Sequence, residues 1–234
     1  MKTIGLIGGM SWESTQLYYR IINKTIRKKL GKHHSAKILI YSFDFEEILE
    51  YQNDWIQITE KITDKAQKLE KAGADFILIC ANTMHKTFDD VQKAITIPII
   101  HIADVTARKI LKKGFKTVGL LGTKLTMEED FYKKRLKEKF DIDVLIPSED
   151  ERNLVHKIIY KELVAGKIKK YSKHMYYSIM YELIEQGAEG IILGCTEIPL
   201  LIKQKDIRIP VFNTTRIHAE AAVNFALKNE KRLK

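Results

Sequence analysis

Two cysteines stand where an apolar run of the sequence ends: Cys80 ends the stretch FILIC, and Cys195 ends the stretch GIILGC. A thiol has an ordinary pKa of about 8.5, which a helix N-terminus or a nearby cation can lower, giving an acid or base that works near neutral pH. A free cysteine is also among the most buried residue types. Each cysteine is therefore a candidate for proton transfer or for packing.

Thiols on both sides of a planar intermediate could remove a proton from one face of a carbon and return it to the other face. That reaction is a racemisation or an epimerisation, and its charged intermediate needs hydrogen-bond donors for a carboxylate. Side-chain candidates are Asn82, Thr83 and Thr196. Backbone candidates are the turns GGMS and GTKLT, because each follows a predicted strand and opens a helix whose free N–H groups favour an anion.

The elements that must position these residues alternate along the chain. Short apolar strand segments are separated by longer helical ones, in which Trp55, Ile58, Ile62, Ala66 and Leu69 form one apolar stripe at helical spacing. The strand segments read TIGLIG, AKILIYSF, DFILIC, IPIIHI, TVGLLG, DVLIP, GIILGC and IPVFN. This alternation predicts an α/β fold of parallel sheets covered by helices.

The second half of the sequence repeats landmarks of the first half. GLIGGM and GLLGTK are 114 residues apart, as are Gly73-Ala74-Asp75 and Gly187-Ala188-Glu189, while IPII and IPVF are 112 apart. The repeat predicts two pseudo-symmetric α/β domains, 1–100 with 211–234 and 101–210. Because ligands of such sheets bind at the carboxyl ends of the strands, we expect the active site in a cleft between the domains.

Composition narrows the class of protein. The net charge is +10, but the lysines are spread over several segments and interleaved with glutamates, so we expect no nucleic-acid partner. No apolar run approaches the roughly 20 residues that span a bilayer. The first apolar run is too short for a secretory signal, so we expect reduced thiols, a cytoplasmic location and no membrane partner. No metal-binding or nucleotide-binding motif is present.

The sequence resembles the aspartate/glutamate racemase family, and it is most similar to the broad-specificity branch with the GGMSWEST turn. The resemblance covers nearly the whole chain and is carried by IGGMSWEST, CANTMHK, LLGTKLTMEEDFY and GCTEIPLL. It implies two pseudo-symmetric α/β domains in a homodimer, acting on an amino acid or another small carboxylate. It also implies catalysis without pyridoxal phosphate or another cofactor, with cysteines as acid and base.

Carried over by position, the resemblance makes Cys195 a catalytic cysteine. The family's other catalytic residue stands immediately before Asn-Thr, where this chain has Ala81, which cannot carry a proton. Cys80 and Thr83 are then the remaining catalytic candidates, although strand alternation turns Cys80 toward the core if residue 81 faces the cleft. The candidate substrate-binding residues are Met10, Gln52, Ala81, Asn82, Thr83, Thr123, Thr126 and Thr196.

Several functions remain open on the sequence alone. The leading hypothesis is a cofactor-independent amino-acid racemase for aspartate, glutamate or a broader set of substrates. The departure at Ala81 also allows a single-thiol enzyme of the same superfamily, similar to its decarboxylases, or a non-catalytic carboxylate-binding protein that has lost one base.

Overall fold

The computed structural model describes residues 1–51 and 54–228, which form two compact units. Unit 1 comprises Met1–Ile102 and the chain from Thr215 onward, and unit 2 comprises Ala103–Thr214. The changes of unit thus fall a few residues later in the chain than the boundaries expected after residues 100 and 210. Each unit is built on one parallel sheet.

Unit 1 has a three-stranded sheet in the order β2-β1-β3. Its strands are β1 (Ile4–Gly8), β2 (Ile38–Ser42) and β3 (Phe76–Ile79). Its helices are α1 (Trp12–Leu30), α2 (Phe45–Leu49), α3 (Trp55–Lys71) and α4 (Phe88–Lys93), with a 3-10 turn at Thr83–Thr87. The strand predicted for IPIIHI is wrong, because that segment contributes a single parallel bridge between Ile77 and Ile99.

Two helices begin at the changes of unit: α5 (Ile102–Leu111) and α11 (Thr214–Ala226). Unit 2 has a four-stranded sheet in the order β5-β4-β6-β7. Its strands are β4 (Thr117–Gly122), β5 (Asp143–Leu145), β6 (Ile191–Gly194) and β7 (Val211–Asn213). Besides α5, its helices are α6 (Lys124–Glu128), α7 (Asp130–Phe140), α8 (Glu149–Ile158), α9 (Lys170–Glu185) and α10 (Ile198–Leu201), whereas α11 packs on unit 1.

The two sheets share one strand order, which confirms two similar parallel-sheet α/β domains. In unit 2, β6 pairs with β4 on one side and β7 on the other. In unit 1, β3 likewise pairs with β1, and the bridge at Ile99 takes the place that β7 has in unit 2. A π-helical turn, Ile159–Leu163, follows α8, and a short 3-10 turn spans Gln204–Asp206.

The sheet of unit 1 is covered on both faces. On one face the stripe of α3, including Ile58 and Ile62, packs against Ile77 and Ile79; we call this cluster the α3-side core. On the other face α1 and α11 pack against Phe76 and Leu78; we call this cluster the α1-side core. Strands buried on both faces read as continuous apolar runs, which is why FILI shows no polar alternation.

Polar side chains fix where the helices of unit 1 begin. Ser11 caps α1 by accepting a hydrogen bond from the Ser14 N–H at 3.4 Å. Asp54 caps α3 by accepting from two backbone N–H groups, those of Ile56 and Gln57, at 3.1 Å each. Such a cap contributes about 1 kcal/mol to helix stability. Within the part of the chain that the structure describes, no helix is both long and apolar enough to cross a membrane.

Candidate active site

The carboxyl ends of β4 and β6 lie side by side in unit 2 and carry the first group of candidate residues. Gly122 pairs with Gly194, so Thr123 and Cys195 directly follow paired residues. The backbones approach closely here, because a Cβ on Gly122 would lie 3.0 Å from the Gly194 carbonyl oxygen. We call Thr123, Thr126, Cys195, Thr196 and Glu197 the β4–β6 edge.

Cys195 is hydrogen-bonded to a carboxylate two residues along the chain. Its Sγ lies 2.9 Å from Glu197 Oε2, and the thiol donates to that oxygen. The Thr196 hydroxyl donates to the same oxygen at 2.6 Å. Glu197 is largely buried, and Cys195 is 8% exposed. One oxygen of Glu197 thus accepts hydrogen bonds from both neighbouring side chains.

This environment makes Cys195 a weaker acid than an ordinary cysteine. Burial raises the pKa of its thiol well above the usual value, and the negative charge of Glu197 raises the pKa further. A helix N-terminus or a nearby cation can lower the pKa of a thiol, whereas burial and Glu197 raise the pKa of Cys195 here. At neutral pH the resting cysteine is a protonated thiol that is hydrogen-bonded to Glu197.

Thr123 and Thr126 are brought to the same edge by the start of α6. Thr123 caps this helix, accepting from the Thr126 N–H at 3.3 Å, and the two hydroxyl oxygens lie 3.0 Å apart. Both residues are buried. The structure thus brings together four residues that the sequence singled out: Thr123, Thr126, Cys195 and Thr196.

Tyr160 and His156 are associated with this edge and were missed by sequence reasoning. Burial raises the pKa of Tyr160, and Cys195 and Glu197 raise it further when they are ionised, although 41% of the residue is exposed. Its ring lies 4.7 Å from the ring of His156, whose Nδ1 accepts from the Lys124 N–H at 3.2 Å. Tyr160 lies in the π-helical turn, a feature that often occurs at functional sites and has no signature in this sequence.

The carboxyl ends of β1 and β3 lie side by side in unit 1 and carry the second group. Ile7 pairs with Ile79, so the turn after β1 runs alongside the segment from Cys80. Gly9 has a φ of 88°, and a Cβ there would lie 2.2 Å from the Phe43 carbonyl oxygen, so the turn requires glycine. We call Met10, Ala81, Asn82 and Thr83 the β1–β3 edge.

Cys80 and Ala81 point to opposite faces of the sheet, as strand alternation predicts. Cys80 is 1% exposed in the α1-side core, whereas Ala81 is 9% exposed in the α3-side core. Burial strongly raises the pKa of the Cys80 thiol. The carbonyl of Cys80 accepts from the Ser14 hydroxyl at 3.2 Å. These surroundings are those of a packed core cysteine, while its catalytic role stays a prediction.

The other predicted residues of unit 1 are placed as follows. Met10 is buried in the α3-side core, and Asn82 is buried directly after Ala81. Thr83 is half-buried at the start of the 3-10 turn. Gln52 lies outside the described residues. Of the residues that the structure does describe, no three His, Cys, Asp or Glu side chains are grouped so as to hold a metal ion.

Comparison with known sequences identifies the family to which this chain is similar. Residues 7–222 match the family model for Asp/Glu/hydantoin racemases. The broad specificity amino-acid racemase RacX of Bacillus subtilis is 27% identical over 231 residues, covering 94% of this chain and 96% of that protein.

Solved structures of racemase homologues are also similar to this chain. A candidate Asp/Glu racemase from Yersinia pestis is 49% identical with a TM-score of 0.92, covering 97% of this chain and 100% of that one. An aspartate racemase homologue from Pyrococcus horikoshii is 40% identical with a TM-score of 0.86, covering 97% and 99%. The match of the family model over most of the sequence shows that this chain belongs to the Asp/Glu/hydantoin racemase family and is an isomerase.

Proposed function

We propose that this enzyme inverts the α-carbon of an amino acid and that Cys195 is its principal acid and base. The observation that carries the proposal is the hydrogen bond from the Cys195 thiol to Glu197 at the end of β6. A thiol with a neighbouring proton acceptor can work in both directions, which an inversion requires. Membership of the family and the similarity to a broad-specificity amino-acid racemase support the substrate class.

Glu197 is proposed to switch Cys195 between its two forms. When the thiol proton passes to the Glu197 carboxylate, the thiolate that remains removes the α-proton of the substrate, and the C–H electron pair stays on the substrate as a planar carbanion. The Cys195 thiol then exchanges the abstracted proton with solvent and returns a solvent-derived proton to the same face, which completes the exchange. A proton delivered to the opposite face completes the inversion. The positive α-ammonium group of the substrate favours the thiolate, since an opposite charge lowers the pKa of a thiol.

The β1–β3 edge is proposed to bind the substrate carboxylate. Asn82 and Thr83 carry side chains that can donate hydrogen bonds to it, and Thr196 adds a further hydroxyl. Met10, Gln52, Ala81, Thr123 and Thr126 are proposed to line the binding site. Cys80 is proposed to be a packing residue, because it lies in the α1-side core.

Ala81 makes the proposed chemistry asymmetric. An alanine has no group that can accept or donate a proton, so proton transfer on its side of the substrate depends on water or on the Thr83 hydroxyl. One enantiomer should then exchange its α-proton with solvent much faster than it inverts. We propose aspartate, glutamate or a broader set of amino acids as substrates, turned over by a cytoplasmic homodimer without pyridoxal phosphate or metal.

The proposal is tested by incubating the protein with single L- and D-amino acids in deuterated water. Mass spectrometry measures deuterium at the α-carbon, and chiral chromatography measures inversion. We expect exchange for at least one amino acid, and we expect Cys195→Ser to abolish it, because a hydroxyl is too weak an acid to replace the thiol. Cys80→Ser is the matched control and should keep most of the exchange. Unchanged exchange in Cys195→Ser would refute the proposal.

A single-thiol decarboxylase is the second candidate, favoured by the lack of a titratable group at Ala81 and by the burial of Cys80. Such an enzyme needs only one acid to protonate the carbanion left when carbon dioxide departs. Release of labelled carbon dioxide from a disubstituted malonate, lost in Cys195→Ser and without any α-proton exchange on amino acids, would replace the racemase proposal with this one.

A further inference from the structure

Unit 1 buries a cluster of three histidines directly behind the β1–β3 edge. His85 lies in the 3-10 turn that follows Asn82, His101 precedes α5, and His218 is on α11. The ring of His85 lies 4.6 Å from that of His101 and 5.7 Å from that of His218. All three are almost fully buried. Buried imidazoles at this density need defined hydrogen-bond partners.

The partners of His85 define which ring nitrogen carries its proton. Nδ1 lies 2.8 Å from the carbonyl oxygen of Ala81, which can only accept, so Nδ1 carries the hydrogen. Nε2 accepts from the Ile102 N–H at 3.2 Å. Both nitrogens are thus used by the neutral ring, and the tautomer follows from the partners.

His218 has the opposite tautomer. Its Nε2 lies 2.7 Å from the Ile100 carbonyl oxygen and must donate, so Nδ1 accepts from the Tyr18 hydroxyl at 2.9 Å. Burial, followed by the neighbouring His85, lowers the pKa of His218 to about 3, so its ring stays neutral. His218 therefore holds the segment before α5, whereas His85 links the turn after β3 to the first residue of α5.

His85 contacts the backbone of the site at two points. Its ring donates to the carbonyl of Ala81, and its own backbone N–H donates to the carbonyl of Asn82 at 3.0 Å. The preceding carbonyl, that of Cys80, is held by Ser14. Successive carbonyls after β3 are thereby each fixed, and the direction of the Asn82 and Thr83 side chains follows from that backbone.

We propose that His85 is a positioning residue that holds the Ala81–Thr83 turn in the conformation that binds the substrate carboxylate. That the turn binds a substrate carboxylate rests on the proposed function. That His85 fixes the turn rests only on the hydrogen bonds described above. His85 acts through the Ala81 carbonyl and touches no reacting atom.

Two substitutions separate the two hydrogen bonds of the ring. The amide nitrogen of asparagine is as many bonds from Cα as Nδ1, so His85→Asn can keep the donation to Ala81 and lose the acceptor for Ile102. The amide of glutamine reaches the position of Nε2, so His85→Gln can accept from Ile102 and loses the donation to Ala81. The control is Tyr18→Phe, which removes a hydrogen bond to His218 from the same buried cluster.

The readouts are hydrogen-deuterium exchange of the peptide covering residues 81–87, KM and kcat for the best amino acid of the panel, and the melting temperature. We expect a lower melting temperature for all three variants than for the wild-type protein. Only His85→Gln should accelerate exchange in this peptide and raise KM, each by about tenfold, as the loss of one buried hydrogen bond implies. His85→Asn should stay within about threefold of wild type.

The outcomes distinguish failure of the role proposed for His85 from failure of the proposed racemase function. If His85→Gln matches Tyr18→Phe in peptide exchange and in KM, or if all variants change in proportion to their lost stability, His85 is a packing residue and the inference is wrong. If the wild-type protein acts on no amino acid, the proposed function fails. The peptide exchange of His85→Gln against His85→Asn then still decides whether His85 holds the turn.

Discussion

Lowering the pH from about 8 to about 5 should reduce the free energy of unfolding by about 2 kcal/mol through His218 alone. This ring is fully buried, donates to the Ile100 carbonyl and accepts from the Tyr18 hydroxyl. If Nδ1 were protonated, its hydrogen would point at the Tyr18 hydroxyl, which now donates its own hydrogen to Nδ1. Burial, with His85 nearby, accordingly lowers the pKa of His218 to about 3 in the folded state.

The sign and size follow from the two states of the chain. In the unfolded chain a histidine has a pKa of about 6.5. Between that pH and about 3 the unfolded state binds a proton that the folded state excludes, so stability is lost as the pH falls. The loss is about 1.4 kcal/mol for each pH unit below the unfolded pKa, which gives about 2 kcal/mol at about pH 5 and almost none above about pH 7.

Urea unfolding of wild type and of His218→Gln at both pH values isolates this contribution. Glutamine can still donate to the Ile100 carbonyl but does not titrate, so its stability should fall by about 2 kcal/mol less than that of wild type between the two pH values. Equal losses in the two proteins, within about 0.5 kcal/mol, would show that His218 does not remain neutral and buried in the folded state.

Three further predictions concern the thiols. Glu197→Gln removes the proposed proton acceptor and should lower kcat by about a hundredfold or more in the deuterium-exchange assay. In a protein that also carries Cys80→Ala, Glu197→Gln should speed the alkylation of Cys195, because removing the charge lowers the thiol pKa. Ala81→Cys should raise the ratio of inversion to exchange toward one, and an unchanged ratio would contradict the asymmetry. Cys80→Ala should cost about 1 kcal/mol in urea unfolding and keep exchange, whereas loss of exchange in a folded variant would make Cys80 catalytic.

Periodicity and repetition in the sequence predict most of the fold. The apolar stripe from Trp55 to Leu69 lies on a helix, α3, as its spacing predicts. The sequence segments that recur 114 residues apart lie in two sheets of the same strand order. The segment IPIIHI fails as a strand because it reaches the sheet only at Ile99. A buried loop and a buried strand can have the same apolar composition, so the composition of this segment does not show which of the two it forms.

The candidate site is only partly predictable, because its electrostatics depend on folded geometry. The types and order of Cys195 and Thr196 indicate proton transfer, but the return of the Glu197 carboxylate onto the thiol depends on the backbone after β6. Burial of the thiol, together with that contact, raises the pKa of Cys195. Tyr160, whose pKa Cys195 and Glu197 influence, lies in a π-helical turn that no hydrophobic period in the sequence reveals.

The division of unit 1 along the chain sets an order for its synthesis. Residues up to Ile102 leave the ribosome before unit 2, whereas α11, which covers the α1-side core with Ala219 and Val223, leaves it after unit 2. Unit 2 is contiguous and can fold as it emerges. We therefore expect the face of the nascent sheet that carries Leu78 and Cys80 to be covered by α1 before α11 is made, which leaves apolar surface that a chaperone could bind in that interval.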